Sequence, residues 1–381
     1  MNRIAVSPRH DWQAKVEEVG LTYHTPNGQK YWDESAYYQL NAGEVDVLEK
    51  AANDLHEMCI RAAREVIDKD MFTLLGIPSD AVPYIKNSWE RDDFSIYGRF
   101  DLAYDGKNPP KMLEYNADTP TALVEAAVAQ WYWLQDFNRN ADQFNSIHEK
   151  LVAAWKKFGA RGPIHFGGIK DSLEDAQTVL YLEDTCHQAG LTVSQLFIED
   201  LGYDRIHKQF VDLDNQRVSN YFKLYPWEWM WHETFAFSLK MEMCNFIEPM
   251  WKMLLSNKGL LPVLWKLFPN HPNLLPALFT KEELMACPEA RASEGYVKKP
   301  KLSREGANVS LIVGGQTVQA TSGDYGEEGF VFQALTPTSE FDGNHPIMGV
   351  WIVNHEACGL GIREDTSLIT GNFSRFVPHL F

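Results

Sequence analysis

The stretch GRFDLAYDGKNPPKMLEYNADTP, residues 98–120, puts charged side chains where a buried strand should be apolar. Arg99 and Asp101 alternate with Phe100 and Leu102, and Glu114 and Asn116 alternate with Leu113 and Tyr115. Side chains two apart on a strand share a face, so pairing 98–103 with 112–116 across the turn-rich DGKNPP gathers all four polar groups. Asp101, Glu114 and Asn116 then offer two carboxylates and an amide carbonyl. Such an oxygen set suits Mg²⁺, which keeps waters and takes its remaining ligands from substrate phosphates. Arg99 has no acceptor and stays cationic, so its task beside the carboxylates is bidentate bonding of phosphoryl oxygens. The same alternation also describes the wet face of an ordinary hairpin, and on pattern alone that is the commoner outcome.

Two distant segments bear on the choice. SNKGLLPVLW places Lys258 at the start of a predicted helix, and YVKKPKLSREGANVSLIV runs from a strand through a polar loop containing Gly306 and Ala307 into a second strand. Alternation sends Lys298 and Lys299 to opposite faces, so one of them points inward. A loop of small residues between strands can lay backbone N–H groups against phosphates. It is not a Walker A loop, because GxxxxGK[ST] is absent and no helix follows directly.

The rest of the chain predicts mixed α/β architecture. Val45–Val66 carries Leu48, Ala52, Leu55, Cys59, Ala62 and Val66 on one helical face. Thr121–Leu134 predicts a second helix. Residues 163–199 read as strand, helix and strand, with Gly190 ending the helix and a parallel pair as the result. A helical, aromatic region is expected over 235–268, and antiparallel strands from Tyr296 to the end, including YVKKP, NVSLIV, QTVQA, FVFQAL, MGVWIV and GIREDTSLIT. Gly314 and Gly315 form the expected hairpin turn.

A chain of 381 residues with 45% hydrophobic residues and 12 Trp can bury a large core. The formal charge of −17 repels a phosphate backbone and argues against nucleic-acid binding. No apolar stretch is long enough for a membrane span, and the amino terminus lacks a signal-peptide core, so a cytoplasmic location is expected. Five scattered cysteines without CxxC spacing argue against a structural zinc site and a disulfide framework.

Taken together, RxD, ExNAD, NK, KPxxSREGxN and GIRED resemble the glutathionylspermidine synthase family, in particular the stand-alone bacterial proteins related to its synthetase half and described as acid–amine ligases. The resemblance covers nearly the whole chain and implies a permuted ATP-grasp fold, with a pre-ATP-grasp α/β region and antiparallel C-terminal strands. Metal-type residues precede the ATP lysines here, as that permutation requires. It implies a single synthetase unit over 1–381, with lobes at roughly 1–160 (metal-site hairpin), 161–250 (substrate) and 251–381 (nucleotide). Carried over residue by residue, it implies Mg²⁺ at Asp101, Glu114 and Asn116, and a transferred phosphoryl group at Arg99. ATP phosphates fall to Lys258 and Lys299 under a loop containing Ser303, Arg304 and Gly306. Gln333 falls near the adenine, and Arg363 at the phosphate and acyl site, where an ion pair with Glu364 or Asp365 is the structural alternative.

Glu174 and Asp175 match an acidic pair that faces a polyamine in the family, although Asp171 followed by Glu174 is equally a capping-box-like helix start. Thr119, Thr121 and Glu125 either touch the acid substrate or cap the next helix. Lys223, Trp227 and Glu228 match a Trp-Glu segment without an assignable role. Residues recognising the glutathione backbone match poorly, and nothing resembles the family's Cys/His amidase. The implied reaction is ATP-dependent joining of a small-molecule acid to an amine through an acyl phosphate. The rivals are a nucleotide-binding pseudoenzyme that senses a polyamine or peptide, and a small-molecule kinase, which would release ADP without an amine.

Overall fold

The computed structural model describes residues 1–336 and 338–381. Helix α1 (Ala42–Asp68) starts on a reciprocal cap: Asn41 Oδ1 accepts from Glu44 N–H at 3.0 Å, and Glu44 Oε2 accepts from Asn41 N–H at 2.8 Å. That satisfies two amides a helix start leaves unpaired. Its predicted apolar face is buried. Strand β1 (Tyr97–Ala103) then turns back as β2 (Lys111–Asn116). The turn closes because Asp105 accepts the N–H groups of Lys107 and Asn108, with Gly106 at a φ of +77°. Arg99 lies opposite Asn116 and Asp101 opposite Glu114, so the four polar residues share a face.

Where one helix is predicted over 121–134, a π-helical turn, Glu125–Ala129, leads into α2 (Gln130–Phe137), and no side chain caps either. The predicted strand–helix–strand unit is β3 (Ile164–Gly167), α3 (Leu173–Gln188) and β4 (Val193–Gln195). With β5 (Asn220–Lys223) and β6 (Asn245–Ile247) it forms a parallel sheet ordered β6-β5-β3-β4. Strand β6 corrects the expectation of a helical 235–268. That span holds only Ala236–Leu239, a 3-10 turn at Met250–Met253 and α4 (Leu260–Leu267), which starts two residues after Lys258. The backbone of β5 needs a partner on this side, and β6 supplies it. The start of α3 is also corrected: Ser172, not Asp171, is the cap, its hydroxyl accepting from Asp175 N–H at 3.2 Å. Glu174 therefore has no capping duty.

Farther on, β7 (Ala277–Leu278), β8 (Gly295–Pro300), β9 (Ser310–Val313), β10 (Gln316–Ala320) and β11 (Phe330–Ala334) make an antiparallel sheet ordered β7-β11-β8-β9-β10. Gly314 and Gly315 turn β9 into β10 at φ values of +57° and +79°, which glycine adopts without strain. Strands β12 (His345–Val353), β13 (Glu356–Asp365) and β14 (Arg375–Val377) do not join that sheet. They extend the hairpin into a central sheet ordered β14-β13-β12-β1-β2, with α1 packed on β12 and β13. The strand expected to continue through TSLIT ends at Asp365, whose carboxylate accepts from Ser367 N–H at 2.9 Å and turns the chain. Among the described residues no helix is long and apolar enough to cross a membrane.

Candidate active site

The polar face of the hairpin is buried on β1 and half-buried on β2. Arg99 is 6% exposed and Asp101 3%. Arg99 clamps Asp101 with Nε to Oδ1 at 2.7 Å and Nη2 to Oδ2 at 3.2 Å, while Nη1 donates to the Thr121 carbonyl at 2.6 Å. Arg363 reaches the same carboxylate from β13, two strands away, with Nη2 2.8 Å from Oδ2. Room for this exists because the residue opposite Asp101 is Gly349, itself opposite Gly361. A Cβ on Gly349 would stand 3.0 Å from Arg99 Cδ, tighter than ordinary packing allows. The expected alternative for Arg363 does not form: Glu364 is held by Arg3 and Tyr38, and Asp365 accepts from Ser374. Alternation along β13 turns Glu364 to the other face of the sheet.

Both remote lysines meet the hairpin. Lys258 Nζ lies 3.0 Å from Glu114 Oε2 and donates to the Ser303 carbonyl at 2.6 Å. Lys299 is the inward lysine, donating to Gln333 Oε1 at 2.8 Å and the Leu113 carbonyl at 3.0 Å, whereas Lys298 covers the Phe330 ring at 3.8 Å. Burial pushes the Glu114 carboxyl up, but the Lys258 and Lys299 ammoniums outweigh it and hold the group well below the usual carboxylate range. Burial brings Lys299 down to about 8. Asn116 Nδ2 donates to Glu114 Oε1 at 3.1 Å and lies 3.4 Å from Asp101 Oδ2, so the three oxygen-bearing residues touch one another. Among the described residues no group of three or more His, Cys, Asp or Glu is arranged to hold a metal. Two carboxylates and an amide instead fit a hard cation that draws its other ligands from phosphates.

Two cavities meet here. One, of about 310 Å³, is lined by Asp101, Glu114, Lys258, Lys299, Ser303 and Gln333. The other, of about 750 Å³, is lined by Arg99, Asn116, Thr119, Thr121, Arg304 and Arg363, and also by Glu174 and Asp175. Glu114 and Gly306 line both. Gly306 sits at a φ of +71°, and a Cβ there would be 2.5 Å from the Thr370 carbonyl, so the loop can pass between the cavities only as glycine. The Ser303 hydroxyl is buried and has no hydrogen-bond partner among the described residues. Arg304 donates to Glu228 Oε1 at 2.6 Å and to Thr119 Oγ1 at 2.5 Å.

The acidic wall is under electrostatic load. Burial, then the neighbouring Glu174, raises Asp175 to about 7, and burial raises Glu174 as well. Behind it Glu125 is fully buried, accepts from Gln177 Nε2 at 3.1 Å, and is raised by burial to about 7. Lys223 has a place, although its sequence motif carries no role. Its ammonium is buried on Asp118 Oδ1 at 2.6 Å, and Asp118 Oδ2 accepts from Trp227 N–H at 3.0 Å. This pair pins the turn that follows Asn116. The signal was the Asp of ExNAD, which supplies a carboxylate that the hairpin face does not use.

Residues 3–381 match the family profile described as glutathionylspermidine synthase preATP-grasp. The chain is 42% identical to a Haemophilus influenzae protein named "Putative acid--amine ligase", with both chains covered in full. It is 31% identical to the trypanothione synthetase of Crithidia fasciculata, over 84% of this chain and 53% of that protein. It is 28% identical to the bifunctional glutathionylspermidine synthetase/amidase of Escherichia coli, over 96% of this chain and 63% of that protein. The chain thus spans only part of the length of these two relatives.

Proposed function

Because the chain belongs to the glutathionylspermidine synthase family, we propose that its two joined cavities carry out ATP-dependent ligation of a carboxylic acid to an amine. The observation that carries this reading is the meeting of the cavities at Glu114, where Lys258 and Lys299 come from one side and Arg99 and Arg363 from the other. Both lysines and the loop with Ser303, Arg304 and Gly306 would face the triphosphate in the smaller cavity, with Gln333 on its wall. Asp101, Glu114 and Asn116 would hold Mg²⁺. Bound there, the ion would supply positive charge to the phosphoryl oxygens. In this reading residues 1–381 form a single ATP-grasp synthetase unit. The lobes 1–160, 161–250 and 251–381 are offered as functional regions only, since β1 and β12 share one sheet.

The acid's carboxylate oxygen attacks the γ-phosphorus, the bond to the bridging oxygen breaks, and ADP leaves. Arg99 and Arg363, already fixed by Asp101, offset the charge on the transferred phosphoryl group without reorganising. The amine nitrogen then attacks the acyl carbon, the C–O bond to phosphate breaks, and the ammonium proton passes to a carboxylate of the acidic wall or to water. Glu174 and Asp175 attract the cationic amine, and Thr119 and Thr121 line the acid's side of the larger cavity. The loop around Gly306 excludes water from the acyl phosphate. Five free cysteines, three of them buried, accord with a cytoplasmic location.

The test is ADP release from purified protein with ATP and Mg²⁺ across a matrix of peptides or amino acids against amines and polyamines, followed by mass analysis of the product. A condensed product with one ADP per amide is expected. ADP release without an amine would make it a kinase, and no release with any pair would favour a nucleotide-binding sensor.

A further inference from the structure

Gln333 and Lys299 are tied to an irregularity in the hairpin. The β1–β2 ladder pairs Asp101 with Glu114 and Leu102 with Met112, so Leu113 has no residue opposite it. In a regular strand successive carbonyls point to opposite sides, but a one-residue bulge disturbs this and leaves the extra residue unpaired. Here the consecutive carbonyls of Met112 and Leu113 both face the second sheet. Gln333 Nε2 takes the first at 3.0 Å, and Lys299 Nζ takes the second at 3.0 Å. Gln333 Oε1 then accepts from Lys299 Nζ at 2.8 Å, and Gln333 itself is 1% exposed. The opposite amide orientation would set an NH₂ group against an ammonium, so this one is required. Both ends of the glutamine are thereby engaged within the protein. Lysine has three donors, and two are spent on Gln333 and Leu113, leaving one for the cavity.

We infer that Gln333 is a positioning residue which, together with the bulged Leu113 carbonyl, aims the third N–H of Lys299 into the smaller cavity and does not read the nucleotide base. The inference rests on the reading of that cavity as a triphosphate site, and it departs from the role near the adenine that the family resemblance implies. Base selectivity then falls to other groups of the cavity wall, which include Thr336 and Thr338.

The experiment has two parts. Without nucleotide, unfolding midpoints are measured for the wild type, Gln333→Met, Lys299→Met and the double variant. Coupling is expected: the glutamine change should cost clearly more when Lys299 is present, because a buried ammonium loses an acceptor. Gln333→Glu, which keeps an oxygen for the ammonium, should retain the coupling. In calorimetric titrations, Gln333→Met should weaken ATP and GTP together, by about tenfold, with their ratio unchanged. Additive midpoints, or an ATP to GTP ratio that moves tenfold, would overturn the inference. If the wild type binds neither nucleotide, the triphosphate reading falls on its own, and the stability cycle still decides whether Gln333 serves Lys299.

Discussion

Asp101 is bound by two arginines from different strands, an arrangement that makes its charge worth more to the site than a lone surface carboxylate. Removing it should release Arg99 and Arg363 from their aim as well as deleting a metal-type ligand. Asp101→Asn and Glu114→Gln are expected to lower kcat for ADP release by about 10²–10³-fold, the range seen when one preorganised charge-stabilising group is lost. Steady-state kinetics at saturating ATP measure this, and near-normal kcat would remove these residues from the chemistry. At the acidic wall the direction of the pH effect follows from the raised carboxyls. Asp175, at about 7, gains its charge as pH rises from 6 to 8, so the KM for a cationic amine should fall several-fold over that range. Asp175→Asn should flatten the profile. The same sign governs stability at Glu125. Its folded value of about 7 lies above the ordinary carboxylate value, so the protonated form favours the fold and this contribution fades as pH rises towards 7. Glu125→Gln should therefore raise the unfolding midpoint at pH 8 more than at pH 5, by up to about 3 kcal/mol of differential stability.

At the scale of elements, β5 matters to the site through one side chain. Lys223 is fully buried, its ammonium pinned between Asp118 and the Tyr225 carbonyl at 2.6 and 3.0 Å, and the Trp227 ring lies 4.8 Å away. It joins the parallel sheet to the turn that ends the hairpin. Lys223→Met would strand Asp118 as a buried unpaired charge, which costs about 3–5 kcal/mol. Urea unfolding should show that loss, and replacing Asp118 by a neutral residue in the same chain should recover part of it. An undiminished midpoint in Lys223→Met would mean the pair does not hold the turn. The β12–β13 pair acts differently. Gly349 leaves the space that the Arg99 side chain fills, while Gly361 leaves room for the Phe376 ring, so these strands supply space as well as contacts.

For the whole molecule, the net charge of −17 and the acidic wall point the same way, since both draw cations towards the larger cavity. The KM of a polycationic amine should rise as salt is increased from 50 to about 500 mM, where screening shortens to a few ångströms, while that of an uncharged amine should change little. Equal salt dependence for both would dissociate the field from amine capture. Much of this site was legible in the chain. The alternation of Arg99, Asp101, Glu114 and Asn116 is local, because period-two geometry is set by the backbone of one hairpin. The inward turn of Lys299 over Lys298 left only two choices, and the helix from Ala42 declared itself by its apolar face. The misreadings have separate causes. Strand β6 depends on which backbone lies nearby in space, whereas the cap at Ser172 is local: Asp171 and Ser172 stand side by side at the helix start, and it is Ser172 that accepts from Asp175 N–H. By itself the sequence determined which side chains of the hairpin share a face and that the chain after Asn41 is a long helix, since neighbours along the chain settle those. Only the tertiary structure decided that the last strands complete the hairpin's sheet, that a bulge hands its carbonyls to a lysine some 186 residues away, and that two cavities meet at Glu114. Those outcomes come from burial and hydrogen-bond satisfaction between remote segments, and no local pattern encodes them.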